Sequence, residues 1–123
     1  SDRAKDAVVD LARRLVQMGY HLLATEGTGK VLEAAGVAWQ RVRKIREGHP
    51  NLIDFLRDGE VALVMNKPRG KGARTDEGKI RAAAVQAGVP CLTTIEAASA
   101  AVQAMEALRE QEMQVEALQE RFP

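Results

Sequence analysis

The chain of 123 residues is poor in the side chains that most often do chemistry or staple small domains together. Its single cysteine, Cys91, excludes an internal disulfide and fits a reducing compartment. Two histidines far apart and one thiol leave a structural zinc site without support, and no metal ligands are expected. Only 3% of the residues are aromatic against 46% hydrophobic, so the core must be built from Ala, Val, Leu and Ile. A formal net charge of +1 lacks the basic excess of a dedicated nucleic-acid binder. The longest uncharged run, residues 82–95, is interrupted by Gly88 and Pro90 and is too short to span a bilayer. Neither nucleic acid nor membrane is therefore an expected partner; no secretory signal is legible, and a cytoplasmic setting is expected.

What is present is strongly patterned. Four segments, "LVQMGYHLLAT", "LEAAGVAWQRV", "FLRDGEVALVMN" and "AVQAGVPCLTT", each run an apolar-periodic helix into a glycine and then into a β-rich stretch. Gly19, Gly36, Gly59 and Gly88 sit where a helix stop in the left-handed region is expected. Val8, Leu11 and Leu15 mark the buried stripe of the first helix, and Ile80, Ala83, Ala84 and Ala87 that of the fourth. The strands are short and apolar on both faces, notably residues 61–65, as buried parallel strands are. The pattern predicts an α/β fold, a three-layer α/β/α sandwich around a parallel sheet. The chain opens on a helix, with Ser1 or Asp2 as N-cap and no strand ahead of it. One domain is expected over residues 1–108, an Ala-rich last helix running to about Leu108, with residues 109–123 adding a short tail element.

The stretch "LLATEGTGK" (22–30) ends a strand in a loop of two glycines, two threonines and a lysine. In a parallel sheet, ligands sit at the carboxyl ends of the strands, where helix N-termini attract anions. A P-loop needs glycine at position 24 and Ser/Thr after the lysine; Ala24 and Val31 stand there. A dinucleotide fingerprint needs a third glycine where Leu32 stands. Both fail, and an ordinary strand-to-helix turn with Thr28 as N-cap competes with a ligand loop. Other strand ends tip the balance. "RVRKIREGHPN" brings Arg43, Lys44 and Arg46, and "MNKPRGKGARTD" places Asn66 at a strand end before Lys67, Arg69, Lys71 and Arg74. Between residues 39 and 74 lie nine Lys/Arg against four Asp/Glu, whereas from residue 95 onward there are two against six. This asymmetry predicts a basic pocket for a phosphorylated small molecule and a solvated acidic tail.

"LLATEGTGKVLEAAGV", "VRKIREGHPNLIDFLRDGEVALVMN", "IRAAAVQAGVPCLTT" and "VEALQERF" resemble the C-terminal regulatory domain of the carbamoyl-phosphate synthase large subunit, which has the methylglyoxal-synthase-like fold. The resemblance covers nearly the whole chain and is most specific at Lys44 and the following "IREGHPNLID". It implies an allosteric nucleotide effector, UMP or IMP, whose phosphate is held by Thr25, Gly27, Thr28, Lys5 and Lys44. It implies that Asn66, Lys67, Asp76 and Ile80 surround ribose and base, and that Thr93 stands where ornithine-responsive members contact that ligand. It further implies partner synthetase domains in the same large subunit and a glutaminase small subunit, with ATP and a divalent metal used elsewhere in the full enzyme. Carbamoyl phosphate from that enzyme feeds pyrimidine and arginine synthesis. Lys67 departs from the family's threonine, the "RGKGAR" loop is unusually basic, and the family's first strand, due just before residue 1, is missing from the chain.

The same fold carries a lyase, methylglyoxal synthase, acting on dihydroxyacetone phosphate. It relies on an aspartate in a Gly-Gly-Asp motif to remove a proton beside the substrate carbonyl. Here "EGHPN" puts His49 in that place, and although histidine is a base by type, on such a loop it reads as a turn residue. Purine-pathway cyclohydrolases share the glycine loop but not the pattern after Lys44, and the N-acetylglutamate-binding relatives lack "REGHPN". The sequence therefore reads as a binding switch with no catalytic residue of its own, a freestanding lyase being the alternative.

Overall fold

A computed structural model of the chain describes residues 2–66 and 75–121. In order, the elements are α1 (Asp2–Gln17), β1 (Leu23–Ala24), α2 (Glu26–Ala34), β2 (Gln40–Arg41), a 3-10 turn (Ile45–Glu47), α3 (Leu52–Arg57), β3 (Val64–Met65), α4 (Asp76–Ala87), β4 (Cys91–Leu92) and α5 (Ile95–Arg121). Helix and strand alternate as the glycine-ended segments predict, and all four stop glycines have positive φ. At Gly88, with φ 71°, the reversal lets the Val89 amide donate back to the Ala84 carbonyl at 2.9 Å, which satisfies one of the last orphan carbonyls of α4.

Every strand pairing is parallel, which makes this an α/β fold. The strands are two residues long and form two pairs, β1 with β2 and β3 with β4, with Leu23 opposite Gln40 and Val64 opposite Cys91. One sheet is expected from the sequence; among the described residues the pairs share no ladder with each other. Each two-residue strand therefore has its backbone paired along one edge, and the packed helices supply the rest of the order.

Consecutive residues of a strand point to opposite faces, and β4 shows what that does. Cys91 packs into the cluster of Leu56, Val64 and Ala84, contributed by α3, β3 and α4. Leu92 packs on the other side into the cluster of Leu11, Ala98 and Val102, from α1 and α5. Helices thus lie on both sides of the strand, the three-layer arrangement. The predicted stripes are largely buried: Leu11 and Ala84 are core, and Val8, Leu15, Ile80 and Ala83 pack against it, while Ala87 is exposed at the end of α4. Burial raises the Cys91 thiol above its ordinary pKa, so it behaves as a small apolar side chain.

The last helix departs from expectation. α5 crosses residue 108 unbroken and continues to Arg121 as 27 residues, about 40 Å of helix. Residues 95–121 contain no glycine or proline and are rich in Ala, Glu, Gln, Leu and Met, all strong helix formers. It is stapled to α1 and the turn that follows: Arg14 Nε donates to Glu106 Oε2 at 3.1 Å, and Arg109 Nη1 donates to the Met18 carbonyl at 2.7 Å. Beyond Glu106 the side chains as far as Leu118 are exposed.

The third core cluster, Ala12, Ala24, Leu32 and Val37 with Trp39 against it, seats α2 between α1 and the first strand pair. Gly29 is buried, and a Cβ at that position would be driven into the Trp39 ring at Cη2, Cζ3 and Cε3. Gly27, two residues earlier, has nothing near its missing Cβ. The two glycines of the loop therefore do different jobs: one closes the core and the other leaves the helix start open. Gly29→Ala is expected to cost about 1–3 kcal/mol through overpacking, measured by denaturant unfolding with Trp39 fluorescence as the signal. Gly27→Ala is expected to leave stability unchanged or slightly higher; equal effects at the two positions would contradict the contact.

Candidate functional site

The carboxyl ends of β1 and β2 are locked side by side, because the Val42 amide donates to the Ala24 carbonyl at 2.9 Å. β1 leads directly into Thr25, the N-cap of α2, and the helix begins at Glu26. Thr28, expected as N-cap, lies instead inside the first turn. The first intrahelical bond of α2 runs from the Gly29 amide to the Thr25 carbonyl at 2.8 Å. The amides of residues 26–28 therefore precede the helical ladder and have no intrahelical acceptor. The Thr25 hydroxyl makes no capping bond to them, unlike the Thr75 hydroxyl, which caps α4 by accepting from the Gly78 amide at 3.0 Å. Thr25 is half-buried, and Gly27 and Thr28 are exposed. A helix start with open amides, a partial positive charge and two hydroxyls at its rim is suited to an anion.

Lys44 leaves from the neighbouring strand end. It is exposed, and its ammonium forms no ion pair among the described residues. Its backbone is held tightly: the Lys44 amide donates to Glu47 Oε1 at 2.7 Å, and the other carboxylate oxygen pairs with Arg41 Nη2 at 3.1 Å. Both ties, the amide first, hold the Glu47 carboxyl below its ordinary pKa. The loop closes further when Arg43 Nη1 donates to the His49 carbonyl at 2.7 Å and Arg43 bridges to Asn51 in parallel register. Asn51 is the only buried polar residue among those described, 3% exposed. Its Nδ2 donates to the Gly48 carbonyl at 3.0 Å, and its Oδ1 accepts from the Ile53 amide at 3.0 Å, capping α3.

The remaining predicted residues are distributed unevenly. Lys5 lies on α1 in a shallow groove beside Lys30, Val9 and Val31, on the flank of α2 and away from its first turn. Asn66 follows β3, and its Nδ2 donates to the Glu77 carbonyl at 3.2 Å, tying that strand end to the start of α4. Asp76 is the exposed first residue of α4, and Ile80, one turn on, packs against Leu56, Val64 and Ala84. Thr93 is exposed after β4, directly before Thr94, whose hydroxyl caps α5 by accepting from the Ala97 amide at 3.1 Å. Lys67, like Arg69, Lys71 and Arg74, lies outside the described residues. Thr25, Gly27, Thr28 and Lys44 thus share the β1–β2 end, while Asn66, Asp76, Ile80 and Thr93 belong to the β3–β4 end. No hydrogen bond or ion pair joins the two sets among the described residues. No three His, Cys, Asp or Glu side chains there stand together as metal ligands, and no described helix is long and apolar enough to cross a membrane.

His49 occupies a turn, between Gly48 at φ 104° and a cis bond to Pro50. Its Nδ1 also lies 2.7 Å from Asp54 Oδ2, a pairing that sequence inspection misses. The signal was present: Asn51 and Asp54 stand three apart, the capping-box spacing, and the same Asp54 oxygen accepts from the Asn51 amide at 2.7 Å. The amide first, then His49, lowers the Asp54 pKa below its ordinary value. A depressed carboxyl contributes stability above its unfolded pKa and loses that contribution as pH falls through the folded one. Asp54→Ala should therefore be less stable than the wild type at neutral pH, the gap closing as pH drops below about 4. Thermal melts across that range check it; a gap that stayed constant would contradict the ionised cap.

With the site in view, comparison with known proteins gives a consistent answer. A family model described as an MGS-like domain matches residues 7–93. Over 118 residues, 96% of this chain, the sequence is 59% identical to the carbamoyl phosphate synthase large chain of Rhodopirellula baltica, of which it spans 11%. It is 46% identical over 119 residues to the large chain's C-terminal section in Methanopyrus kandleri, spanning 22% of it. Against the Corynebacterium glutamicum large chain it is 47% identical over 126 aligned positions, again 11% of that protein. The matched residues run from α1 to just beyond β4 and include the open helix start, Lys44 and the capped loop. The resemblance read from the sequence is borne out: the chain belongs to the MGS-like domain family.

Proposed function

We propose that this chain is the effector-binding regulatory domain of a carbamoyl phosphate synthase large chain, and that it takes a nucleotide monophosphate, UMP or IMP. The observation that carries the reading is the β1–β2 end: amides of residues 26–28 without intrahelical acceptors, a Thr25 hydroxyl that makes no capping bond, and a Lys44 ammonium with no ion pair among the described residues, at the adjacent strand end. A phosphate there accepts from the amides and the Thr25 and Thr28 hydroxyls while Lys44 supplies charge. Ribose and base then extend toward Asn66, Lys67, Asp76 and Ile80. Lys5 lies at the flank and contributes charge at longer range, and Thr93 is the ornithine contact in a responsive enzyme.

In this reading the domain binds and does no chemistry. ATP, the divalent metal and the synthesis of carbamoyl phosphate belong to the synthetase domains of the same large chain, with ammonia from a glutaminase subunit, in the cytoplasm. The effector shifts the synthetase only through its differential affinity for two enzyme states, about 1–3 kcal/mol in typical allosteric couplings. One observation favours the lyase alternative, the His49–Asp54 pair at the place of the lyase's base. The pair is also a helix-capping device, since the carboxylate oxygen that meets His49 is the one that accepts the Asn51 amide.

Charged hydrogen bonds contribute roughly 1.5–3 kcal/mol each, so Thr28→Ala or Lys44→Ala should weaken UMP or IMP binding about ten- to a hundredfold. Arg109→Ala, on the far staple between α5 and α1, should leave the affinity unchanged, and uridine and inosine should bind far more weakly than their phosphates. Calorimetric titration measures each; nucleosides binding as well as nucleotides would remove the site assignment. The purified chain should release no methylglyoxal from dihydroxyacetone phosphate. Turnover that disappears in His49→Ala would instead establish the lyase.

A further inference from the structure

The end of β2 and its connection to α3 carry four cations, Arg41, Arg43, Lys44 and Arg46, and the structure sorts them. Arg41 is engaged by Glu47 Oε2 at 3.1 Å, and Arg43 is engaged by the His49 carbonyl at 2.7 Å. Lys44 and Arg46 form no ion pair among the described residues. The carboxylate that engages Arg41 is the one whose second oxygen accepts the Lys44 amide at 2.7 Å. A single side chain thus restrains a competing guanidinium and fixes the backbone at the root of the free lysine. A bare carboxylate three residues from Lys44 would repel a phosphate, and its pairing with Arg41 offsets that charge.

We propose that Glu47 is the positioning residue of the anion site: by holding the Lys44 backbone and occupying Arg41, it makes Lys44 the cation presented to a phosphate at the first turn of α2. This rests on the reading of that turn as the phosphate site. The physical gain is preorganisation, because a lysine whose root is fixed loses less freedom when it engages an anion. The depressed Glu47 carboxyl agrees with this, since both ties are stronger to the ionised form.

Calorimetric titration of the 123-residue chain with UMP and with inorganic phosphate tests it. Glu47→Ala should weaken UMP binding about tenfold, and Glu47→Gln should recover most of the loss, because an amide oxygen still accepts the Lys44 amide. In a Lys44→Ala background, Glu47→Ala should change the affinity by less than about twofold, since a residue acting through Lys44 has nothing left to position. A merely structural role would lower the melting temperature and leave the same loss in both backgrounds. A second arm does not depend on the alanine variant folding: Arg41→Met leaves the Glu47 carboxylate unneutralised and should weaken binding severalfold, and Glu47→Gln in that background should restore it. If Glu47→Ala has no effect on affinity, if its loss persists without Lys44, or if Arg41→Met is not rescued, the positioning role is wrong. Wild-type binding that depends on Thr28 and Lys44 but not on Glu47 overturns this inference alone. No wild-type binding, or binding indifferent to Thr28, overturns the site and the inference together.

Discussion

The candidate site depends on the contact between Gly29 and Trp39. The indole occupies the space where any other residue at position 29 would place its Cβ, so α2 settles against the hydrophobic cluster that also holds Ala24 at the end of β1. That seating fixes where the first turn of α2 points. Among the described residues the amides of that turn find no intrahelical acceptor, and Thr25 makes no side-chain cap to them. An apolar contact in the core thereby determines the placement of a polar feature at the surface, and the polar feature remains open for a ligand. The other side of the site is fixed differently, by a loop closed on itself. Arg43 on the His49 carbonyl, Glu47 on the Lys44 amide, and Asn51 on Gly48 and Ile53 hold residues 43–53 together, and Leu52 packs against the core.

Strand pairing joins these two sides. The β1–β2 ladder is only two residues long, yet its extension from the Val42 amide to the Ala24 carbonyl carries the register to the residues that flank the site. The second pair repeats the device with β3 and β4, where Asn66 ties its strand end to the first turn of α4. The strand ends of each pair are therefore anchored to a following helix or loop, and the polar residues concentrate there. α5 has another role. It is docked on α1 through Glu106 and on the turn after α1 through Arg109, and beyond Glu106 its side chains are exposed as far as Leu118.

Much of the fold was legible because the governing signals are local. Helix stops at Gly19, Gly36, Gly59 and Gly88 require positive φ whatever the tertiary context, and the apolar stripe through Leu11 and the one through Ala84 follow helical period. The tail is longer as a helix than its pattern suggests because the side chains pass from docked to exposed after Glu106, which is a change of environment and not of conformation. The division of the strands into two pairs depends on which backbone edges meet, and apolar runs do not encode that. At the site, the strand-end positions of Thr25 and Lys44 were legible, whereas the N-cap proved to be Thr25 and not Thr28. The separate tasks of Gly27 and Gly29 were not legible, since only the position of Trp39 tells a packing glycine from an open one. Nor was the partition of Arg41, Arg43 and Lys44 by Glu47 and the His49 carbonyl, because charge runs look alike until their partners are placed.

The claim at the centre is that anions bind at the amides where α2 begins. Backbone amide NMR during titration with inorganic phosphate and then UMP measures this most directly, residue by residue. The account predicts that the largest shifts fall on Gly27 and Thr28, with Lys44 following and with the same residues responding to both ligands. Shifts concentrated instead on Val9, Lys30 and Val31, in the groove between α1 and α2, would contradict it.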